Sequence, residues 1–439
     1  EMMTMTSTFE ADVANRTISV AIVGLGYVGL PLAVSFAEAG FNTFGFDINS
    51  DVVAQLQTSQ SHIADISHER LKDVAKSGHF KATDKVDDLS NCDVIFICVP
   101  TPFDKAQTPD LSYIESAARL VRSILRKDML IILQSTTYPG TTTEFVKPIL
   151  EASGLNAGTD FFLAFSPERV DPGNEIWNVR NTPKVVGGFS ENCTKRSTHL
   201  LSALMGSSDL VHTVGSPEIA EMTKLLENTY RAVNIALVNE LAQLCHRMEI
   251  DVWDVIEAAA TKPFGFQAFY PGIGAGGHCI PVDPHYLAWK AREYEFQLRF
   301  VELAADVNMQ MATYVVGRIG KLLNEKSLPI KGSKILCIGA SFKPGVSDTR
   351  NSRALKIIEL LIAEGAVVSY FDQNVPSIKL EASTLVSKNM ADVVSAEWDL
   401  VAVLVNTPNI SLSKLDELGV AVFDAVNASG EDSEFRRRL

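Results

Sequence analysis

A turn rich in glycine, set between an apolar strand and a helix, limits most strongly how this chain can fold. Residues 18–24 are an apolar run that stops at Gly24, and a helical pattern follows as far as Gly40. A second apolar run then closes at Asp47. Strand, glycine turn, helix and strand in this order predict a βαβ unit with two parallel strands.

The glycines of this turn have the spacing Gly24-x-Gly26-x-x-Gly29. In that spacing glycine allows a tight turn, an approach of the backbone to a pyrophosphate, and close packing of helix on strand. The helix N-terminus would donate amide hydrogens to the phosphates, and Asp47 would accept from ribose hydroxyls. A carboxylate there disfavours a 2′-phosphate, so the motif predicts NAD as cofactor; the alternative is a purely structural turn.

The α/β pattern occurs at both ends of the chain and is interrupted in the middle. It predicts an α/β protein with two Rossmann-like, doubly wound sheet domains joined by a central helical region with a long connecting helix. The first sheet is expected to be largely parallel, because its apolar runs are separated by helical stretches. The expected segments are a tail outside the fold at 1–14, an NAD-binding domain at 15–213, a central region at 214–327 and a second sheet domain at 328–439.

Two long helices are expected in the central region. Ser216 and Pro217 form a helix start, and the helical pattern runs on to about His246. A second pattern, at about 284–323, contains almost no helix breaker and predicts one continuous connecting helix. Its apolar side is available either for a partner subunit or for packing within the chain, and consists of Leu298, Val301, Leu303, Ala304 and Val307.

Composition narrows the class of protein. The chain has 439 residues and a formal net charge of −14, which argues against a nucleic-acid partner. Six cysteines without CxxC pairs fit a reduced, cytoplasmic protein and support neither a disulfide scaffold nor a metal site. Neither a transmembrane run nor a signal peptide is recognisable, so no membrane partner is expected.

The segment Gly274-Ala-Gly-Gly-His-Cys279-Ile-Pro-Val-Asp283 carries the strongest chemical signal. Small residues let backbone and ligand approach closely, and a thiol at a helix start is stabilised as thiolate. Cys279 is therefore a candidate nucleophile, with Asp283 nearby to hold a water or relay a proton. The alternative is an inert packing cysteine, which is the interpretation for the other five.

Other polar residues stand at the ends of predicted strands or on one helix face. Lys224 and Asn228 are four residues apart and share a face, where they could stabilise an alkoxide or simply be solvated. Strand ends carry Ser135-Thr136, Ser166-Pro-Glu168-Arg169 and the loop that contains Lys343 and Arg350. Arginine suits a diphosphate, although each of these segments could also be an ordinary surface loop.

Together these segments resemble the UDP-glucose/GDP-mannose dehydrogenase family over nearly the whole chain. The motifs occur in the family's order: VGLGYVGLPLA, QSTTYPGTT, FSPERVDPGN, AEMTKLLENTYRAVNIALVNEL, GAGGHCIPVDP and SFKPGVSDTRNSRA. The resemblance implies an N-terminal NAD-binding domain, a central region that forms a homodimer, and a C-terminal domain that binds the UDP-sugar. It also implies a cytoplasmic enzyme of polysaccharide biosynthesis.

The resemblance also implies roles for individual residues. Cys279 corresponds to the nucleophile, and Lys224, Asn228 and Asp283 correspond to the group that binds the C6 oxygen and a water. Glu168 corresponds to the acid/base near the thioester, and Thr136 corresponds to a residue that positions water. The cofactor-binding set is Gly24, Gly26, Tyr27, Val28, Gly29, Asp47, Pro100, Thr101 and Thr136. The substrate-binding set is Glu168, Arg169, Lys224, Asn228, Tyr270, Gly276, Gly277, Lys343 and Arg350.

The implied reaction is an NAD-dependent, four-electron oxidation of the C6 alcohol of a UDP-sugar to a carboxylate through a thioester. Pro281 resembles the branch of the family that acts on UDP-N-acetylglucosamine, and the N-acetylmannosamine, N-acetylgalactosamine and glucose forms stay open. A two-electron hydroxyacid dehydrogenase would leave Cys279 and the last domain without a role. A non-catalytic nucleotide sensor would bind NAD without producing NADH.

Overall fold

The computed structural model describes residues 8–103, 108–174, 176–381, 383–395, 397–408 and 410–439. The chain divides into two compact units. The first contains Glu1–Glu227 and Trp289–Tyr294, and the second contains Asn228–Ala288 and Glu295–Leu439. The residues expected to form a central region are thus divided between the two units.

The first unit is built on an eight-stranded sheet in the order β3-β2-β1-β4-β5-β6-β7-β8. All neighbours are parallel except β6 and β7. The strands are β1 (Ser19–Val23), β2 (Asn42–Phe46), β3 (Phe80–Thr83), β4 (Val94–Ile97), β5 (Leu130–Leu133), β6 (Phe162–Phe165), β7 (Lys184–Gly188) and β8 (Val211–Val214). The chain reverses its direction of winding between β1 and β4, so their carboxyl ends flank a crevice of the kind where nucleotides bind.

Helices cover both faces of this sheet, and the sheet separates two apolar clusters. They are α1 (Thr8–Asn15), α2 (Gly29–Glu38), α3 (Ser50–Gln57), α4 (His68–Lys76), α5 (Ser112–Ile124), α6 (Lys147–Glu151) and α7 (Glu191–Met205), with a π-helix at Thr141–Val146 and 3-10 turns at Val86–Leu89 and Ser208–Leu210. The expectation of a tail at 1–14 is wrong from residue 8 onward. Phe9 and Val13 of α1 are buried in the core, and burying them stabilises the first helix.

The central helices differ from the expectation in one respect. Helix α8 (Pro217–Arg247) begins where its capping residues predict and is 31 residues long. The expected single helix at 284–323 is wrong, because two helices, α10 (Asp283–Arg292) and α11 (Arg299–Glu325), form instead. Between them Glu295 has a left-handed φ of 55° and residues 293–297 are exposed, so no buried face holds the helix together there. Helix α9 (Val252–Ala260) lies between α8 and α10 in the sequence.

The second unit contains a five-stranded, fully parallel sheet in the order β10-β9-β13-β14-β15. A two-stranded antiparallel ribbon of β11 and β12 accompanies it. The strands are β9 (Lys334–Ile338), β10 (Val367–Phe371), β11 (Ser377–Lys379), β12 (Thr384–Val386), β13 (Leu400–Val403), β14 (Ala421–Asp424) and β15 (Arg436–Arg438), and the helices are α12 (Arg353–Ala363), α13 (Met390–Val393) and α14 (Leu412–Glu417). The two sheets confirm the predicted α/β fold class.

The composition of the C-terminal segment suggests a solvated, charged end, but the segment is folded onto the second sheet. Its arginines form β15, which pairs with β14, and Leu439 is buried. Arg436 forms an ion pair with Asp416, and Arg438 with Asp251. Partner carboxylates far away in the sequence therefore allow an arginine-rich strand to form. Among the described residues, no helix is long and apolar enough to cross a membrane.

Candidate functional site

The three glycines of the turn after β1 have three different surroundings. Gly24 has a φ of 96°, a left-handed conformation that glycine adopts readily. A Cβ on Gly29 would lie 1.7 Å from the carbonyl oxygen of Gly24, so helix and strand pack too closely for any side chain. A Cβ on Gly26 would meet no atom within 4 Å, which leaves the backbone open to a ligand. These surroundings fit the dinucleotide pattern, with Tyr27 and Val28 between the second and third glycines.

Asp47 follows β2 and lies beside this turn. Its Oδ2 accepts a hydrogen bond from the Leu25 amide at 3.0 Å, and its Oδ1 accepts one from the Asn49 amide at 2.9 Å. Each oxygen keeps a further lone pair for a ribose hydroxyl. The carboxylate is therefore held at the edge of the turn by the backbone, as NAD recognition requires.

Residues after β4 and β5 meet on the other side of the same crevice. Pro100 and Thr101 follow β4, and Thr136 follows β5. The Thr101 hydroxyl donates a hydrogen bond to the Thr136 carbonyl oxygen at 2.7 Å. The fold thus brings together the three residues that the sequence assigned to the cofactor from these two strand ends.

Glu168 follows β6, is 8% exposed and accepts four hydrogen bonds. Its Oε1 accepts from the amides of Arg169 and Val170, at 2.8 and 2.9 Å. Its Oε2 accepts from Lys184 Nζ at 2.9 Å and from Gln134 Nε2 at 3.1 Å. Burial by itself raises the pKa of Glu168, but Lys184 and the backbone amides outweigh it and hold the pKa below its usual value. Glu168 is therefore a carboxylate fixed in the ionised form.

Lys184 is the partner that sequence reasoning missed. It begins β7 and is 1% exposed, whereas lysine is almost never fully buried unless it is paired. The sequence does place this lysine directly before the apolar run of 185–186, which indicates a buried charge that needs an opposite charge nearby. Nothing local identifies Glu168, 16 residues earlier, as that charge.

The substrate-binding set also includes residues on or near α8. Lys224 and Asn228 are buried, so neither belongs to a solvated polar stripe. Among the apolar residues beside them on α8, Leu225 is buried, whereas Met222 and Leu226 are exposed. Arg169 pairs with Glu227 at 2.7 Å, which fixes its guanidinium group within the first unit.

Cys279 differs from the other five cysteines, all of which lie in described residues. Those five are buried, while Cys279 is partly exposed. Burial raises the pKa of the Cys92 and Cys337 thiols to about 12, so these remain protonated and inert at neutral pH. The Cys279 carbonyl oxygen accepts from the amides of Val282 and Asp283, at 3.2 and 2.7 Å, in the turn that leads into α10. The thiol therefore sits at a helix start, as expected.

Asp283 and Asn228 meet in the second unit. The Asn228 amide group donates a hydrogen bond to Asp283 Oδ2 at 2.5 Å, and both side chains are buried. Asp283 lies four positions after the candidate nucleophile, at the start of α10, and Asn228 reaches it from α8. The structure thus joins two of the residues that the family resemblance assigned to the C6 oxygen.

A cleft of about 430 Å³ lies at the carboxyl end of the second sheet. The chain reverses its winding between β9 and β13, and the loops after β9, β13 and β14 line the cleft. Lys343 and Tyr270, both in the substrate-binding set, lie in this lining. The Tyr270 ring stacks against Trp253, 6.3 Å between centroids. Apolar walls, an aromatic pair and one lysine suit a base joined to a diphosphate.

Arg350 is engaged by a neighbouring carboxylate. Its guanidinium group forms a bidentate pair with Asp348, with contacts of 2.9 and 2.6 Å. His278 Nε2 lies 3.0 Å from the same carboxylate. Burial raises the pKa of Asp348, but the hydrogen bonds from His278 and Arg350 outweigh it and hold the pKa well below the usual range. Among the described residues, no cluster of histidine, cysteine and carboxylate side chains could hold a metal ion.

Comparison with known proteins gives a family match along the chain. Residues 18–205 match the NAD binding domain of the UDP-glucose/GDP-mannose dehydrogenase family, residues 218–310 its central domain, and residues 336–429 its UDP binding domain.

Individual relatives are similar over most of their length. The UDP-N-acetyl-D-mannosamine dehydrogenase of Pyrococcus horikoshii is 38% identical over 78% of this chain and 80% of its own. The UDP-N-acetyl-D-glucosamine 6-dehydrogenase of Pseudomonas aeruginosa is 36% identical over 81% of this chain and 83% of its own. The solved structure of the UDP-D-ManNAc dehydrogenase from Pyrococcus horikoshii superimposes with a TM-score of 0.87 at 32% identity, covering 96% of this chain and 99% of that one.

Proposed function

Because the chain belongs to the UDP-glucose/GDP-mannose dehydrogenase family and is an NAD-dependent UDP-sugar dehydrogenase, we propose that it oxidises the C6 alcohol of a UDP-N-acetylhexosamine to the uronic acid through a thioester on Cys279. The observation that carries this proposal is the contrast between a partly exposed thiol in a glycine loop and five buried thiols. A thioester requires an accessible thiol, which a packing cysteine does not provide.

The turn after β1 is the part of the chain that would hold NAD. Gly26 has open space beside it that a pyrophosphate could occupy, the amides at the start of α2 would donate to that pyrophosphate, and Asp47 would accept from the adenosine ribose. Each oxidation step would transfer one hydride to a bound NAD, so the reaction would consume two NAD molecules per uronic acid. Pro100, Thr101 and Thr136 line the other side of the crevice and complete the binding surface.

The proposed chemistry proceeds on the sulfur of Cys279. The C6 alcohol loses a hydride and a proton to become an aldehyde, with Lys224 and Asn228 stabilising its oxygen and Asp283 receiving the proton through a water. The thiolate adds to the aldehyde carbon, and loss of a second hydride gives the thioester. Water, aided by Thr136 and Glu168, then breaks the carbon–sulfur bond, releasing the carboxylate and regenerating the thiolate.

Within this class we propose UDP-N-acetylglucosamine as the preferred substrate. The proposal rests on Pro281 in GGHCIPVD, which resembles the glucosamine branch of the family. UDP-N-acetylmannosamine is the second candidate, favoured by the 38% identity to a relative named for that substrate.

The experiment that tests the proposal counts NADH against uronic acid for UDP-glucose and the N-acetylglucosamine, N-acetylgalactosamine and N-acetylmannosamine forms. We expect two NADH per acid, with the largest kcat/KM for an N-acetylhexosamine. Cys279→Ser should abolish turnover, while Cys245→Ala, a change at a buried thiol, should retain it. A ratio of one NADH, or full acid production by Cys279→Ser, would contradict the thioester route.

We further propose that the enzyme is a homodimer formed through its central helices. Tyr230, Leu237 and Leu244 of α8 recur every seven residues, and their side chains are exposed. On α11, Val301 and Ala304 are buried within the chain, while Phe300 and Leu303 are exposed. A heptad stripe of exposed apolar side chains on a long helix favours packing against a second copy of that helix.

A further inference from the structure

The peptide immediately before Cys279 is attached to the loop of residues 342–351, which follows β9. The Asn351 side chain donates a hydrogen bond to the Gly277 carbonyl oxygen at 3.1 Å. His278 Nε2 lies 3.0 Å from Asp348 Oδ2. Both residues that precede the thiol are therefore fixed by the same loop, through side chains more than 60 residues away in the sequence.

The two segments also pack without space between them. A Cβ on Gly277 would lie 2.8 Å from the Phe342 ring, and a Cβ on Gly276 would lie 3.0 Å from the Asn351 carbonyl oxygen. Gly277 has a left-handed φ of 92° as well. A displacement of the loop by an ångström would therefore displace the peptide that carries the thiol, because closely packed atoms transmit strain.

The same loop lines the cleft at the end of the second sheet. Phe342, Lys343 and Pro344 are in the lining, and the Phe342 amide donates to the Asp348 carbonyl oxygen at 3.0 Å, which closes the loop on itself. Asp348 is further fixed by its bidentate pair with Arg350. A contiguous series of contacts thus runs from the cleft through Phe342 and Asp348 to His278.

We propose that His278 is a positioning residue, which fixes the Cys279 thiol against the loop of residues 342–351. Through this loop, a nucleoside diphosphate bound in the cleft alters the reactivity of the thiol. The inference rests on the proposed function in taking Cys279 as the nucleophile. It adds a role for the histidine that distinguishes the GGHC sequence, and it makes ordering of the thiol depend on the nucleotide part of the substrate rather than on the sugar.

The test measures the rate at which iodoacetamide alkylates Cys279, with and without saturating UDP, followed by intact mass and peptide mapping. The other cysteines are buried, so alkylation of the folded enzyme reports on one thiol. UDP lacks the sugar and cannot cover the thiol as a substrate would. In the native enzyme we expect UDP to change the rate by about fivefold or more, the usual size of coupling between two sites.

The variants are His278→Ala and His278→Gln, which keeps a hydrogen-bonding nitrogen at a similar reach. In His278→Ala the rate with UDP should equal the rate without it, UDP should bind within about twofold of its native affinity, and kcat should fall with little change in KM. His278→Gln should restore part of the UDP effect. Asp348→Asn weakens the same contact from the other side, so at saturating UDP it should also lose the effect of UDP on the alkylation rate, and it replaces His278→Ala if that variant does not fold.

Three results would overturn the inference: no effect of UDP on the native thiol, a full effect in His278→Ala, or loss of UDP binding in that variant. Loss of UDP binding would mean that His278 maintains the shape of the cleft and does not position the thiol. Failure of the proposed function is separate, because it would appear as the absence of NADH with every UDP-sugar. If the native enzyme makes two NADH per acid, and UDP still changes the alkylation rate in His278→Ala, the proposed function stands and only this inference is wrong.

Discussion

At the scale of single residues, the glycine turn shows that members of one motif have different physical roles. Gly29 is required because a side chain would collide with backbone, whereas Gly26 has open space beside it, where the proposed NAD site lies. The sequence pattern predicts different roles for its glycines, and the structure gives these two positions different surroundings, as such roles require.

This difference gives a matched pair of variants. Gly29→Ala should destabilise the protein by about 2 kcal/mol or more, since its Cβ would lie 1.7 Å from the Gly24 oxygen and the backbone must shift. Gly26→Ala should unfold at the same urea concentration as the native enzyme but bind NAD at least about tenfold more weakly. Urea unfolding and NADH titration measure both, and equal behaviour of the two variants would contradict the assignment.

The buried pair of Lys184 and Glu168 predicts a change whose size depends on pH. Lys184→Met should cost about 3–5 kcal/mol at neutral pH, because an unpaired carboxylate is left buried. Without the ammonium group, burial raises the pKa of Glu168, so acidification neutralises the carboxylate and relieves the cost. The difference in unfolding free energy between native and variant enzyme should therefore shrink as pH falls from 8 to 5.

Urea unfolding across that pH range provides the measurement. The matched control is the double variant Lys184→Met with Glu168→Gln, which removes both charges and should recover part of the lost stability. A difference that stays constant with pH would mean that Lys184 acts by packing alone.

At the scale of elements, helix α8 stabilises a π-helix through one buried carboxylate. Glu221 accepts hydrogen bonds from the Gly140 amide at 2.6 Å and from the Thr142 amide and hydroxyl at 2.9 and 2.6 Å. The two amides are at the start of the π-helix of Thr141–Val146, where backbone N–H groups lack acceptors within the helix. Burial nevertheless raises the pKa of Glu221 to about 7.

The raised pKa predicts the direction of a pH effect on stability. Between the ordinary carboxyl pKa of 4.5 and about 7, the folded protein binds a proton at Glu221 that the unfolded chain does not. The contribution of this residue to the unfolding free energy therefore falls as pH rises through that window, by up to about 1.4 kcal/mol per pH unit. Unfolding of native enzyme and Glu221→Gln at pH 5, 6 and 7 measures it, and a native-minus-variant difference that rises with pH would contradict it.

At the scale of the whole molecule, the chain forms two units, each with a parallel sheet whose reversal of winding creates a crevice. The glycine turn and Thr101 flank the crevice of the first unit, and the cleft with Lys343 occupies that of the second. The candidate nucleophile belongs to the second unit and the ionised Glu168 to the first. The same reversal of winding thus creates a crevice in each unit, and the proposed NAD and UDP-sugar sites lie at these two crevices.

Exposed apolar residues on α8 lead to a prediction about assembly. The double variant Leu237→Glu with Leu244→Glu should sediment as a monomer if the native enzyme is a dimer, because charges would replace the apolar stripe of the interface. Leu418→Glu, a change at an exposed leucine next to α14, should leave the native sedimentation coefficient unchanged. A native enzyme that sediments as a monomer would contradict the proposed dimer.

Much of the molecule is determined by local sequence. The first βαβ unit, the start of α8 at Pro217, strand β10 and the fold class follow from apolar periodicity, glycine turns and helix caps, each of which acts over a few residues. The same local rules placed Thr136, Glu168 and Lys343 at strand ends, where parallel sheets build their sites.

Tertiary structure decided which distant groups meet. Lys184 stays buried because Glu168 pairs with it, and Phe9 becomes part of the core because α1 packs on α7. Strand β15 forms because Asp416 and Asp251 pair with its arginines. The helix expected at 284–323 breaks because no apolar surface covers residues 293–297. Apolar periodicity and secondary-structure propensity depend on residues that are close in sequence. Burial and charge pairing depend on residues that are close in space, so only the folded chain determines which residues become partners.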